Sequence, residues 1–543
     1  MKLILKTVLT GINAKYIHSC LALYSLRAYC PDEYRGSIVI REFTINQEHG
    51  FILRELYACK PDIIGFSCYI WNIGMVAALV RDLKKLLPDL IIILGGPEVS
   101  YDSIDCPADF IVKGEGERAF LELMDFYNGK RSGPPEMTGI PVDMNRLRFP
   151  YTDGVKSFDN RIIYYESSRG CPFHCQYCLS GDADSRVRVL PQQRVQEELL
   201  FFLNARVRQV KFTDRTFNCF TERAFHIWRF LKEHDNGLTN FHFEISADLL
   251  DTETLSLLSD ARKGLFQFEI GVQSTNADVL REIDRHTDLT RLTKNVTALR
   301  GFGNIHLHLD LIAGLPGEDY VSFGRSFNDV YAMEPDALQL GFLKALKGAP
   351  LRAGAEGSGL VCGDSPPYEV LKTRELSFDE ICRLKDIESL LEGFYNRGLA
   401  PLTLRFLTAA GAFAFYENLA AFWREKGYYS APLGKMGMYE ALYEYCRKSS
   451  GTDADFVLEL MRFDLLSREY EKSPPEWLVP KPSPEERAYY KIYKSSMGAD
   501  AFVIRTFTYK IAGWLGGKPE KARNTLLFRY KDGKGRGACF EIV

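Results

Sequence analysis

No run of apolar residues in this chain approaches the roughly 18 that a membrane-spanning helix needs, and runs such as Leu90–Leu94 stop far short of it. After Met1-Lys2 the chain enters a short strand-like run that ends at Thr10-Gly11. The apolar stretch and small-residue cleavage site of a secretion signal do not follow, so the expectation is a cytoplasmic protein with no membrane partner. Excess charge of either sign is missing too. Against 71 Asp and Glu stand 68 Lys and Arg, a formal net charge of −3, which excludes a global polycation but not a local basic patch. Disorder as the main state is excluded, because 46% of the 543 residues are hydrophobic and can pack into cores. At about 150 residues per domain, the length allows three or four domains.

The 13 cysteines are odd in number and scattered, and nothing sends the chain to an oxidising compartment, so a disulfide framework is not expected. Most read as small buried hydrophobes, Cys219 among them. Three differ: Cys171, Cys175 and Cys178 lie close together as Cys171-Pro-Phe-His-Cys175-Gln-Tyr-Cys178.

Strand and helix patterns alternate through residues 1–130. Strand candidates are Lys2–Leu9, Ser37–Thr44, Pro61–Ser67, Asp89–Leu94 and Asp109–Val112, with helices through Ser19–Tyr29, Gly74–Leu87 and Glu117–Tyr127. Near-continuous apolar strands between helices predict a doubly wound parallel, Rossmann-like sheet, whose ligands sit beyond the carboxyl ends of the strands. Residues 131–160 lack periodicity and read as a linker. Residues 161–365 hold six βα-type repeats, which predicts a partial (β/α)6 barrel resembling a TIM barrel, with its chemistry at the carboxyl ends of the strands. Residues 366–543 read as a mostly helical C-terminal domain. A proline-rich connector spans 473–484, and strand-like pieces follow at Thr525–Tyr530 and Cys539–Val543.

Three thiolates on one short loop can hold three irons of a [4Fe-4S] cubane and leave the fourth iron open to chelate a small molecule. A zinc site completed by His174 and three unrelated core cysteines are the competing readings, but CxxxCxxC is not a usual zinc spacing. The position after the first barrel strand favours the cluster. On these residues the chain resembles the radical S-adenosylmethionine (SAM) superfamily, and Tyr177 matches an aromatic often found before the third cysteine. The resemblance implies that SAM chelates the open iron and that an external one-electron reductant drives its cleavage to a 5′-deoxyadenosyl radical. It also implies SAM contacts after the later strands. Asp214, Glu269, Gln273 and Ser274 are the candidates, within Phe212-Thr-Asp-Arg-Thr-Phe-Asn218 and Glu269-Ile-Gly-Val-Gln-Ser274.

Residues 1–130 resemble the cobalamin-binding domain that precedes many radical SAM barrels. The resemblance rests on Pro61–Ser67, Leu94-Gly-Gly-Pro-Glu98 and Gly114-Glu-Gly-Glu117. It implies that Ser67, Gly95 and Gly96 contact cobalamin. The DxHxxG motif that supplies a cobalt-ligating histidine is absent; His18 reads as a cap or surface residue, and no histidine below the cobalt is expected. The dispersed N-terminal cysteines do not match the second cluster of methylthiotransferases. The C-terminal region resembles an uncharacterised domain of the same proteins. Its basic tail, with Tyr489, Tyr490, Tyr493, Phe502, Phe507, Tyr509 and Phe528, reads as a solvated face over an aromatic core rather than as an RNA surface.

The function this implies is cobalamin-dependent radical SAM chemistry, methyl transfer to an unactivated centre of an unidentified small-molecule or peptide substrate. One alternative is a radical SAM enzyme without cobalamin acting on RNA or a tetrapyrrole. Another is a non-enzymatic iron–sulfur electron-transfer or sensor protein.

Overall fold

The computed structural model describes residues 5–542 except 103, 153, 155–157, 159, 181–185, 355–356, 358, 450–452, 496, 498–499, 515 and 532–536. The expected strand start at Lys2 and the end at Val543 lie outside the described residues. The chain divides into two compact units. One is Met1–Asp319 with Met333–Pro335 and Gly341–Ser377; the other is Tyr320–Ala332, Asp336–Leu340 and Phe378–Val543.

In the first unit, β1 (Thr7–Asn13), β2 (Ile38–Thr44), β3 (Ile63–Ser67), β4 (Ile91–Gly95) and β5 (Phe110–Val112) form one sheet in the order β2-β1-β3-β4-β5. Every pairing is parallel. All seven residues of β1 and all five of β3 are buried, because helices cover both faces of the sheet. The strand order reverses between β1 and β3, so a crevice opens beyond Asn13 and Ser67.

The barrel sheet follows, with β6 (Ile163–Tyr165), β7 (Gln209–Phe212), β8 (Asn240–Ile245), β9 (Phe266–Gln273), β10 (His306–Ala313) and β11 (Ala337–Phe342) in the order β11-β10-β9-β8-β7-β6. Its strands alternate. Phe241, Phe243 and Phe268 are fully buried, and Phe243 packs against Phe212, Phe217 and Trp228. The residues between them, His242, Glu244 and Glu269, point to the opposite face, as a period of two requires. The segment 131–160 is not a bare tether. Tyr151 is buried, stacks on Tyr24 and donates to the Tyr164 carbonyl, and Phe149 packs edge-on against Phe201 and Phe202.

The second unit is helical, with helices including Ala412–Glu425, Lys435–Lys448 and Ala454–Arg468, and it adds an antiparallel sheet. That sheet is β12 (Ala501–Tyr509), β13 (Lys521–Tyr530) and β14 (Ala538–Ile542) in sequential order. The sequence reading marked only part of β13 and the end of the chain as strand. The aromatics of the basic tail divide as a core predicts: Phe507, Phe528 and Tyr530 are fully buried on the helix Ala454–Arg468, whereas Tyr490 is exposed. Among the described residues no helix is long and apolar enough to cross a membrane.

Candidate functional site

The cysteine loop leaves β6 under tight control. Asp214, at the exit of β7, has no exposed surface. Its carboxylate accepts from the Ser167 amide at 2.9 Å, the Ser167 hydroxyl at 2.6 Å and the Ser168 hydroxyl at 2.6 Å. Arg223 holds the Ser167 carbonyl at 3.1 Å. Gly170 then turns the chain with φ +97, where a Cβ would stand 2.7 Å from the Arg186 carbonyl oxygen, so only glycine fits. Cys171, Cys175 and Cys178 all line one cavity of about 200 Å³.

The donor set fits a cubane better than a single ion. Among the described residues only Glu269, His308 and Asp310 bring ligand atoms within 4.8 Å of one another. The three thiols are spread more widely, and His174 lies exposed, off the cavity wall. Arg285 reaches the Cys175 sulfur at 3.8 Å and the Tyr177 hydroxyl at 3.4 Å, and the Ser180 amide donates to the Cys178 sulfur at 3.4 Å. A guanidinium and an amide aimed at sulfur stabilise thiolates. Cys219 is half-buried in the turn Phe217–Cys219 and off the wall; burial pushes its thiol up to about 11.

Opposite the cysteines the wall is charged. Lys211 pairs with Glu269 at 2.7 Å and stands 3.6 Å from Glu244; His242 stands 3.0 Å from Glu269. Burial alone would raise the Glu269 carboxyl, but the His242 contact and the Lys211 ammonium outweigh it and hold the group at about 2. Burial, then the charges of Glu269 and Glu244, push Asp310 up to about 8. Neighbouring acids driven apart in this way have different protonation states at neutral pH.

The expected SAM contacts separate into two pairs. Glu269 and Gln273 are on the cavity wall, Gln273 with φ +70. Asp214 and Ser274 stand behind it. Ser274 has no exposed surface and donates to Glu318 at 2.6 Å, so both reach the cavity only through the segments they hold. None of Lys211, Arg215, Glu244, Arg285 and Asp310 is among the expected contacts, although Arg215, Glu244 and Asp310 lie in strand-end stretches that carry the resemblance, Phe212–Asn218, Phe243–Asp248 and Asp310–Glu318. For Lys211, Glu244 and Asp310 the signal is a polar residue at every second position of apolar strands, as in Phe241-His-Phe-Glu-Ile245 and Leu307-His-Leu-Asp-Leu311, whereas Arg215 and Arg285 lie in loops and carry no such mark.

A second, larger cavity of about 740 Å³ opens at the crevice between β1 and β3. Ser67, Gly95 and Gly96 are on its wall. Gly96 has φ +120, and a Cβ there would stand 2.5 Å from the Cys68 carbonyl oxygen. The cavity continues inward as an apolar slot between the sheet (Leu9, Gly65, Ile93) and two helices (Leu23, Leu26, Phe120). At its mouth Tyr69 and Trp71 stack with centroids 4.3 Å apart and rings 6° from parallel. A cavity of this volume, with stacked aromatics and an apolar inner lining, fits cobalamin, whose macrocycle is broad and whose tail carries a flat aromatic base. His18 also lines this cavity, with Nδ1 2.7 Å from the Tyr164 hydroxyl; it neither caps a helix nor lies on the open surface. Burial, then Lys15, Lys211 and Arg161, lower its pKa. The two cavities have two wall residues in common, Arg215 and Glu244.

Residues 7–124 match the model of the B12 binding domain, 165–330 that of the radical SAM superfamily, and 357–511 a family described as a protein of unknown function, DUF4080. The chain is 28% identical over 435 residues to the 2-(S-pantetheinyl)-carbapenam-3-carboxylate methyltransferase of Streptantibioticus cattleyicolor, covering 66% of this chain and 61% of that one. It is 27% identical over 443 residues to the cobalamin-dependent radical SAM methyltransferase TokK of Streptomyces tokunonensis, with the same coverage of 66% and 61%. It thus spans about three-fifths of the length of these relatives. Among solved structures, the cobalamin-dependent SAM radical enzyme OxsB with aqua-cobalamin bound aligns with a TM-score of 0.56 at 15% identity, over 91% of this chain and 84% of that one. The radical SAM methyltransferase TsrM of Kitasatospora setae, with cobalamin and a [4Fe-4S] cluster bound, aligns with a TM-score of 0.52 at 16% identity, over 69% of this chain and 80% of that one. At such identities the likeness is one of fold.

Proposed function

We propose that this chain, a radical SAM protein with a B12 binding domain ahead of its barrel and a DUF4080 domain behind it, is a cobalamin-dependent methyltransferase acting at an unactivated centre of its substrate. The observation that carries this reading is the shared wall. The cavity with the three cysteines and the cavity with the glycine-lined crevice meet at Arg215 and Glu244. A substrate seated there faces both cofactor sites at once, which transfer between them requires.

When bound, the [4Fe-4S] cluster with SAM supplies one-electron cleavage to a hydrogen-abstracting radical, and cobalamin supplies a methyl carrier. The chain's part is binding and positioning. Cys171, Cys175 and Cys178 hold the cluster. Glu269 and Gln273 face SAM from the barrel wall, and Asp214 and Ser274 fix the segments that present it. Ser67, Gly95 and Gly96 would receive cobalamin from the crevice wall. Phe173, Tyr177 and Ile245 narrow the cluster cavity and exclude water. The partners this needs are a small-molecule or peptide substrate and an external one-electron reductant, in a reduced cytoplasm.

The test is anaerobic purification after growth with cobalamin, followed by iron and cobalt counts and by assay of SAM cleavage under reduction. About four irons with about one cobalt per chain is the expected result. Iron without cobalt after reconstitution would leave a barrel that works without cobalamin. A cluster that never cleaves SAM would leave an electron-transfer or sensing role.

A further inference from the structure

The junction of the two cavities also bears on the substrate, given the methyltransferase reading above. Arg215 and Glu244 are the two residues common to both walls, so a ligand lying between the two cofactor sites would meet them. Several other charged side chains of these walls have protein partners, whereas Asp310 keeps one oxygen without a hydrogen-bond donor and is pushed toward its neutral form by burial. Glu269 has Lys211 and His242; Arg285 has the Gly271 carbonyl, Cys175 and Tyr177; Glu115 and Glu166 have Arg169.

Arg215 stands apart. It is exposed to the junction and makes no hydrogen bond, ion pair or ring contact with any described residue. Glu244 is nearly as free. Among the described residues its one ion-pair partner is Lys211 at 3.6 Å, and that ammonium sits closer to Glu269, at 2.7 Å. Burial pushes the Glu244 carboxyl up, and the charges of Lys211 and then Arg215 act against that, Arg215 without pairing with it. Two opposite charges on one wall, near enough to sense each other and not joined, leave room for a ligand that satisfies both.

We infer that Arg215 and Glu244 determine substrate specificity and that the substrate carries a zwitterionic head, a carboxylate for the guanidinium and an ammonium for the carboxylate, as in a free α-amino acid or a molecule ending in one. Arginine's planar fork matches a carboxylate two-pronged, and an ammonium suits an acceptor-only carboxylate. A purely anionic ligand would satisfy Arg215 and leave Glu244 opposed. A purely cationic one would do the reverse. A lipid tail or a bare aromatic would offer a partner to neither.

The test is equilibrium dialysis of anaerobic holoenzyme, with SAM present, against labelled L-alanine, acetate, methylamine and inorganic phosphate at about 1 mM each, since fragments of this size bind weakly. The expected result is retention of L-alanine with each other probe retained at least about tenfold less. Arg215→Gln and Glu244→Gln should each cut L-alanine retention by about tenfold or more, with SAM retention unchanged. The inference is overturned if L-alanine is not retained, if acetate or phosphate is retained as well as L-alanine, or if neither substitution weakens it. A parallel loss of SAM in Arg215→Gln also overturns it, because Arg215 would then serve SAM. Both variants keep the fold in view, since each replaces a cavity-facing side chain with a close match in size. Iron, cobalt and SAM cleavage are measured on the same preparation. Full cofactor loading without L-alanine retention refutes the zwitterion alone, whereas failed loading refutes the methyltransferase reading.

Discussion

Asp464 of the C-terminal unit and Asp310 of the barrel wall are acids pushed up by burial, to about 7 and about 8. Their surroundings are opposite. Asp464 accepts from the Leu402 amide at 3.1 Å, the Thr403 amide at 2.9 Å and the Thr403 hydroxyl at 2.7 Å, closing the N-terminus of the helix Pro401–Leu407. Glu459, five residues earlier on the helix Ala454–Arg468, accepts from the Thr508 and Tyr509 amides on β12. Asp310 has one buried oxygen with no hydrogen-bond donor; His308 Nε2 lies 3.3 Å from it outside bonding geometry. In one region acids are saturated by backbone and belong to the fold. Asp310, by contrast, keeps an open oxygen on a cavity wall and belongs to a site. Burial alone does not separate the two roles; the number of donors already engaged does.

That contrast predicts which substitutions cost function and which cost stability. The largest effect is expected at the cluster. Cys175→Ala should drop iron from about four per chain to near zero and SAM cleavage to background, with little change in the melting temperature of the second unit. Iron retained at the normal level would mean that the thiol is only a core residue. Next is Asp464→Ala, which strips a helix terminus and a hydroxyl of their acceptor inside the core. A loss of about 3 kcal/mol is expected in urea unfolding, with iron and cobalt per folded chain unchanged. Lost cofactor at unchanged stability would break the contrast from the other side.

Much of this was legible in the sequence because both parallel sheets advertise themselves. Apolar strands at regular spacing, Gly-Gly after β4 and three cysteines after β6 leave few alternatives. Direction at a strand's end was harder. Asp214 and Arg215 are adjacent, yet one turns inward to brace Ser167 and Ser168 while the other faces the cavities. A one-residue difference reverses the side, and nothing local to the sequence decides it. Gln273 and Ser274 divide the same way, and φ +70 at Gln273 marks the place where the strand period ends. The strand β12 was missed because its partner β13 lies beyond a loop, and pairing across a loop leaves no mark in a local window. Of the tail aromatics expected in a core, Phe502, Phe507, Tyr509 and Phe528 are buried and Tyr490 is not.

The crevice offers a milder test, since its two glycines are constrained differently. A Cβ on Gly96 would collide with the Cys68 backbone, so Gly96→Ala disturbs the fold and the site together. A Cβ on Gly95 would meet only Val112, at 3.9 Å, and otherwise projects into the cavity. Gly95→Ala should therefore lower cobalt retention by about three- to tenfold, the equivalent of about 1 kcal/mol, at nearly unchanged melting temperature. Equal cobalt in variant and wild type would mean that cobalamin does not approach this strand end.

The smallest effect is expected at Asp310, and its sign is the informative part. The folded carboxyl titrates at about 8, far above its ordinary value of 3.8, so the native state keeps a proton that the unfolded chain has released. The stability contributed by this group is full below about pH 4 and is lost as pH rises through about 8. Asparagine cannot titrate and keeps the size of the neutral acid. Asp310→Asn should accordingly match wild type at the acid end and rise above it by a few degrees in melting temperature as pH is raised from about 6 to about 8, at about 2–4 °C per kcal/mol. A gap that stays flat across that range would mean that Asp310 is ionised in the folded protein. It would then be a third charge on the barrel wall, facing whatever cation the cavity receives.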